Sequence, residues 1–265
     1  MTQHSDMCIP PLPIGQRDHS PISPLALHHC QWPQAGHFTG QPSTVHDVDH
    51  SVGEVLSALA YNGVLDQTLV IFTSDNGGDI GGIEEQQARE QGFLNCGNLR
   101  GDKHTIWEGG FKVPFVVRWP STIKAGTRTD RMINVVDIFA TLQEIVGGEV
   151  LDPESAGPDS FGFGSTLLGR ETEEFVRPTM VLNDVTGVVA IRMREWKYIE
   201  DQVLRPNPKG AAVRQPQPQL YNLKQDPAEA TNVIEAHPEI AEKMQQVLDC
   251  IRNQGSERLA AGAGT

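Results

Sequence analysis

Apolar and polar positions along the 265-residue chain form a few periodic stretches separated by glycine- and proline-rich breaks. From Ser43 onward, Val48, Val52, Val55, Leu56 and Leu59 fall on one helical face. Thr44 with Asp47 matches a capping box, and Gly63 is a natural C-terminal stop. After a short connection, residues 68–73 (TLVIFT) form a continuous apolar run, which predicts a strand buried on both faces. Helix followed by buried strand predicts an α/β sheet, whose ligand sites form at the carboxyl ends of strands. Residues 79–104 are polar and read as a long loop. Residues 112–119 (KVPFVVRW) predict a second strand, with Pro114 placing its start at an edge or strand end and Pro120 closing it. Residues 133–146 fit a helix stopped by Gly147 and Gly148.

A Gly/Pro-rich stretch at 153–165 predicts a subdomain boundary. Beyond it, residues 179–182, 188–193 and 196–199 read as short strands close enough in sequence for an antiparallel meander, and 205–218 as a loop. His237-Pro238-Glu239 opens a helix with proline in its first turn; Ile240, Met244, Val247, Leu248 and Ile251 share one face for packing on that small sheet. The small, polar tail after Gly255 is expected to fray. The predicted organisation is an irregular segment 1–42, an α/β unit 43–165, a sheet-plus-helix subdomain 166–255 and a tail 256–265.

Composition narrows the picture. The first 42 residues hold 7 of the 18 prolines and the first 50 hold 7 of the 9 histidines, so regular structure is not expected there. A histidine-rich tract can bind metal, but no i, i+4 register organises this one, and a loose polar segment is the preferred reading over a metal site. A net charge of −13 removes the basic footprint of nucleic-acid binding. No apolar run approaches the roughly 20 residues of a membrane-spanning helix, and no apolar h-region marks a signal peptide near Met1. Cys8, Cys30, Cys96 and Cys250 are scattered, without a C-x-x-C pair, which leaves redox compartment and pairing open.

Two stretches carry candidate chemistry. Asp75-Asn76-Gly77-Gly78 follows the first predicted strand, where a carboxylate and an amide carbonyl supply two hard oxygen ligands for Ca²⁺ or Mg²⁺. The same residue types also make a plain turn. Lys103, in Leu99-Arg100-Gly101-Asp102-Lys103, can pair with an anionic oxygen as a compact point charge, or stand as a solvated surface group. Glu108-Gly109-Gly110 suggests a close backbone approach or a turn into the next strand.

Read together, the blocks resemble the sulfatase family. The series runs from Asp47-x-Asp49-x-Ser51-Val52-Gly53 through Phe72-Thr73-Ser74-Asp75-Asn76-Gly77 to Leu99-Arg100-Gly101-x-Lys103. It continues with Glu108-Gly109-Gly110-x-Lys112-Val113-Pro114, Val136-Asp137-Ile138-Phe139-Ala140-Thr141-Leu142 and Trp196-Lys197-Tyr198. It ends with Leu220-Tyr221-Asn222-Leu223-x-x-Asp226-Pro227-x-Glu229-x-x-Asn232. The likeness covers residues 43–251, and Lys112 departs from an arginine more usual in the family. The resemblance implies an α/β fold: a partial alkaline-phosphatase-like sheet with helices, plus a small C-terminal antiparallel sheet packed by a helix. It implies sulfuric ester hydrolysis of the arylsulfatase kind, in which a formylglycine hydrate made from cysteine or serine attacks sulfur beside Ca²⁺. Asp75 and Asn76 would then be metal ligands, and Lys103 would contact the sulfate of a small-molecule ester or a sulfated glycan.

The family's aspartate pair and its C-x-P-x-R or S-x-P-x-R nucleophile motif have no counterpart here; Cys8-Ile9-Pro10-Pro11-Leu12 lacks the arginine. His19, in His19-Ser20-Pro21, is the candidate for the family's sulfate-contacting histidine, against the reading of a bland proline-rich loop. The chain is therefore expected to be the C-terminal portion of a sulfatase, inactive by itself and paired with a missing N-terminal fragment. A non-catalytic binding protein and a phosphoester hydrolase of the same superfamily are the alternatives. Relatives are commonly exported, which leaves the compartment undecided.

Overall fold

The computed structural model describes residues 41–79, 90, 92, 94–148, 152–154, 156–170, 177–200 and 217–262. Cys8, His19 and most of the histidine-rich segment lie outside the described residues. In chain order the elements are α1 (Gln41–Tyr61), β1 (Val70–Thr73), α2 (Glu108–Phe111), β2 (Phe115–Arg118), α3 (Asp137–Ile145) and α4 (Gly164–Leu167). Then come β3 (Met180–Asn183), β4 (Val189–Met193), β5 (Trp196–Ile199), β6 (Gln219–Asn222), α5 (Pro238–Gln254) and α6 (Glu257–Gly262). A single 3₁₀ turn, Leu65–Gln67, joins α1 to β1.

The first half differs from its sequence reading in burial and in boundaries. α1 already includes Gln41, so Thr44 lies inside the helix and not at its cap. Of the expected apolar face, Leu56 is buried, while Val48 and Val55 are exposed. β1 is half-buried at all four positions and not covered on both faces; it pairs antiparallel with β2, from Val70 opposite Arg118 to Thr73 opposite Phe115. α3 begins four residues later than expected because its first residue ties down the approach. The Asp137 carboxylate accepts the Asn134 amide at 2.7 Å and the Phe161 amide at 2.9 Å, bonds that compete with another helical turn. Phe139 and Leu142 on α3, and Val135, Val136 and Val146 flanking it, stay exposed.

The second half is a four-stranded antiparallel sheet, β3-β4-β5-β6. The meander is as expected, with β6 added from the Leu220-Tyr221-Asn222-Leu223 block, where the sequence reading predicts no strand. Period-2 alternation explains why both faces are covered. Ala190, Ile199 and Tyr221 face one way, into a core with Ile106, Met180, Leu182, Val188 and Leu223. Ile191, Tyr198 and Leu220 face the other way, onto Ala241, Met244, Leu248 and Ile251 of α5. The sheet is thus held between α5 and the loop that leads into α2.

The tail does not fray over its described part. Gly255 closes α5 in the left-handed region (φ 70°), and α6 turns back against the sheet. Glu257 is buried; its carboxylate accepts Thr179 Oγ1 at 2.8 Å and pairs with Arg177 at 3.2 Å. Arg177 also pairs with Asp137 at 3.3 Å and donates to the Asp159 carbonyl at 2.7 Å. One guanidinium therefore joins α3, the 153–165 stretch, the entry to β3 and α6 across the predicted subdomain boundary. The small, polar residues of the tail gave no hint of this, because the partner of Glu257 lies far back in the sequence.

Burying a charge is tolerated only with a partner, so removing Arg177 strands two carboxylates at once. Arg177→Met should destabilise the chain by about 3–5 kcal/mol in urea titration, whereas breaking the exposed Arg118–Asp66 pair with Asp66→Ala should cost about 1 kcal/mol or less. The carboxyls of Asp137, Glu229 and Glu257 are each pushed above the ordinary range, first by burial, against the opposing pull of their cationic neighbours. A raised folded-state value means that the folded chain holds these protons more tightly than the unfolded one. Their contribution to stability is complete below the ordinary carboxyl range and is lost as pH rises through the folded values. The melting temperature should rise on going from about pH 7.5 to about pH 5.5, less steeply in Glu257→Gln. A fall over that interval would contradict the assignment.

Candidate active site

Three loops meet at the carboxyl end of β1, and glycine lets them. Gly77 donates its amide to the Gly110 carbonyl at 2.9 Å, and a side chain at Gly77 would overlap the Gly109 carbonyl. Gly109 in turn donates to the Arg100 carbonyl at 2.8 Å, where a side chain would overlap the carbonyls of Arg100 and Gly101. The Lys103 amide donates to the Gly78 carbonyl at 3.0 Å. Cys96 closes the seam, its thiol donating to the Gly109 carbonyl at 3.1 Å. At Gly77, Gly109 and Gly110 backbone meets backbone, which no residue larger than glycine permits.

This seam sets the candidate residues side by side. Asp75 is exposed and Asn76 half-buried, on the turn just before Gly77. The Asn76 amide donates to the Asp75 carboxylate at 3.0 Å, and Ser74 Oγ donates to the Asn76 carbonyl at 3.0 Å. Lys103 is half-buried on the loop bonded to Gly78. The turn and the lysine loop are therefore adjacent, while His19 lies outside the described residues. Carboxylate and amide oxygens are hard donors, the kind Ca²⁺ and Mg²⁺ take. Two such residues complete no coordination sphere, and among the described residues no group of three or more His, Cys, Asp and Glu side chains could hold a metal.

Behind the seam lies a buried ionic network that the sequence reading did not assign. Lys197, fully buried on β5, pairs with Glu108 at 3.2 Å and with Glu229 at 2.9 Å. Glu229 also accepts the Glu108 backbone amide at 2.6 Å. Its backbone carbonyl accepts Arg100 Nη1 at 2.9 Å, which also reaches the Tyr221 hydroxyl at 3.1 Å. The Arg100 guanidinium lies 4.1 Å from the centre of the Trp107 ring. Burial holds the Glu229 carboxyl and the Tyr221 hydroxyl above their ordinary values. Arg100, Glu108, Lys197, Tyr221 and Glu229 each stand in one of the sequence blocks above; the signal available was a lysine and a glutamate inside otherwise apolar or turn-forming motifs.

A cavity of about 280 Å³ lies elsewhere, lined by Met132, Ile133, Phe161, Phe163, Arg177 and Ala261 among others, and shares no residue with the seam.

The chain is similar to known proteins over most of its length. It is 33% identical over 212 residues to an N-acetylgalactosamine-6-O-sulfatase of Bacteroides thetaiotaomicron, covering 78% of this chain and 40% of that protein. It is 27% identical to human arylsulfatase A, covering 89% of this chain and 51% of that protein. A solved structure from work on glycosaminoglycan metabolism by Bacteroides thetaiotaomicron superposes with a TM-score of 0.68 at 32% identity, over 78% of this chain and 43% of the other. The chain thus spans about half the length, or less, of the curated relatives it matches. Such neighbours place the α/β architecture in the alkaline-phosphatase-like class. Residues 37–148, which hold α1, β1 and the whole glycine seam, match the sulfatase family model, and the chain belongs to the sulfatase family.

Proposed function

We propose that this chain forms the sulfate-holding side of a site that hydrolyses sulfate esters of sugars. The single observation that carries the reading is the glycine seam, whose Lys103 amide to Gly78 carbonyl bond joins the lysine loop to the strand-end turn that carries Asp75 and Asn76. Sulfuryl transfer moves negative charge toward the leaving oxygen, so an ammonium that reaches that oxygen favours the transition state over the ground state. Lys103 fills that role. Its backbone is anchored at both ends of the lysine loop, because the amides of Lys103 and Gly109 are both spent on the seam.

Sulfatases work with a calcium ion and a formylglycine. Asp75 and Asn76 would hold part of such a cation's shell, and the ion would neutralise sulfuryl charge when bound. The remaining donors and the nucleophile are not among the described residues, whose contribution is the Asp75, Asn76 and Lys103 side. The relative with the N-acetylgalactosamine-6-O-sulfatase name supports a sulfated amino sugar as the substrate class.

The full chain titrated calorimetrically with N-acetylgalactosamine 6-sulfate should bind it. Lys103→Ala should weaken that binding at least about tenfold, the loss of one charge-assisted contact. Equal affinity for the unsulfated sugar, or an unchanged affinity in Lys103→Ala, would overturn the reading. Calcium should bind with a dissociation constant in the range of about 10⁻⁴–10⁻³ M, as expected of an incomplete oxygen shell, and Asp75→Asn should abolish it. A low-micromolar constant would contradict the two-ligand assignment.

A further inference from the structure

We propose that Lys197 and Glu229, acting through Glu108, are positioning residues for the Asn76–Lys103 site. The inference rests on the sulfate-ester reading for what is positioned, and on geometry alone for how. Lys197 projects from β5 toward α2, on the face that carries Ala190 and Ile199, and neutralises two buried carboxylates. One of them, Glu108, is the first residue of α2 and is followed at once by Gly109 and Gly110, two of the glycines of the seam. The other, Glu229, grips the opposite side of the same turn by accepting the Glu108 amide, while its own carbonyl holds Arg100. Arg100 presents its carbonyl to Gly109 and stands three residues before Lys103. Both strands of the lysine loop, at Arg100 and at Glu108, are therefore fixed from the C-terminal sheet.

The alternative is that the network only stabilises the fold. Burial of three charges at one point is a poor way to gain stability, since well-packed apolar residues do as well or better. What the network supplies is direction: carboxylate and ammonium contacts fix the rotation of the Glu108–Gly110 turn, which apolar packing would leave free to slide. Glu229 itself sits in the left-handed region (φ 52°), a conformation a non-glycine residue holds only when its surroundings demand it.

Cys96 provides a local reporter, because its thiol bridges the Gly109 and Gly78 carbonyls across the seam at 3.1 and 3.8 Å. Cys250, half-buried on α5 beyond the opposite face of the sheet, serves as the control. Alkylation of the native full chain by iodoacetamide is followed by peptide mass spectrometry, which reads each cysteine separately. In Lys197→Met, Cys96 alkylation should accelerate about tenfold while Cys250 stays within about twofold, as local opening requires. If that variant does not fold, the charge-balanced Lys197→Met/Glu229→Gln decides, since it removes one charge of each sign. Affinity for N-acetylgalactosamine 6-sulfate should fall about tenfold in the same variant. Equal acceleration at both cysteines, which marks global loosening, or none at Cys96, overturns the proposal. Should the unmodified chain bind no sulfated sugar, the sulfate-ester reading fails, and the ratio of the two alkylation rates still decides whether Lys197 and Glu229 position the seam.

Discussion

An ammonium group with no access to water sits between two carboxylates, and the rest of the site depends on it. Lys197 is fully buried, as is Glu229, and Glu108 nearly so. An isolated charge in such a place would lose its proton or draw in water. Here Lys197 stays paired because two acidic side chains from different parts of the chain reach it at 3.2 and 2.9 Å. That requirement reaches beyond the three residues. To meet Lys197, the Glu108 turn and the Glu229 segment must lie against the same face of β5, and this brings the glycine seam to its position below β1.

The two halves of the molecule are consequently less separable than a glycine- and proline-rich stretch suggests. Arg177 makes a second weld, joining α3 to α6 through Asp137 and Glu257. Each weld sets a buried cation between two carboxylates, with Arg192 also reaching Glu108 at 3.5 Å, and at Asp137, Glu229 and Glu257 burial outweighs the cation in setting the carboxyl protonation. The overall charge of −13 acts in the same direction, since acidification relieves self-repulsion in the compact state.

How far the sequence disclosed this depends on whether a feature is local. The meander, the α5 face and the proline at its start follow from short-range periodicity, and all appear in the structure. The proximity of Asp75, Asn76 and Lys103 was legible only through the ordered motif blocks, because the seam is built from glycine carbonyls and amides that leave no pattern in composition. Burial on both faces of β1 was overread: a continuous apolar run reports what a strand can bury, and in this structure β1 is half-covered. The tail was underread for the converse reason. Glu257 is one charge among small residues, and its meaning lies in Arg177, Thr179 and Asp159, none of them near in sequence.

The same distinction explains why the quoted blocks contain residues that touch no substrate in the proposed chemistry. In that proposed chemistry Asp75, Asn76 and Lys103 need correct placement to within a fraction of an ångström, because a charge that stabilises a transition state loses its advantage if it must reorganise. Loops closed largely by glycine backbone contacts are poor at holding such a placement, since glycine is the least restricted residue. A site with this much glycine at its centre needs rigidity from elsewhere. Arg100, Glu108, Lys197, Tyr221 and Glu229 supply it through directional, charge-assisted bonds. The small C-terminal sheet is then best understood as the frame that turns a flexible seam into a fixed one.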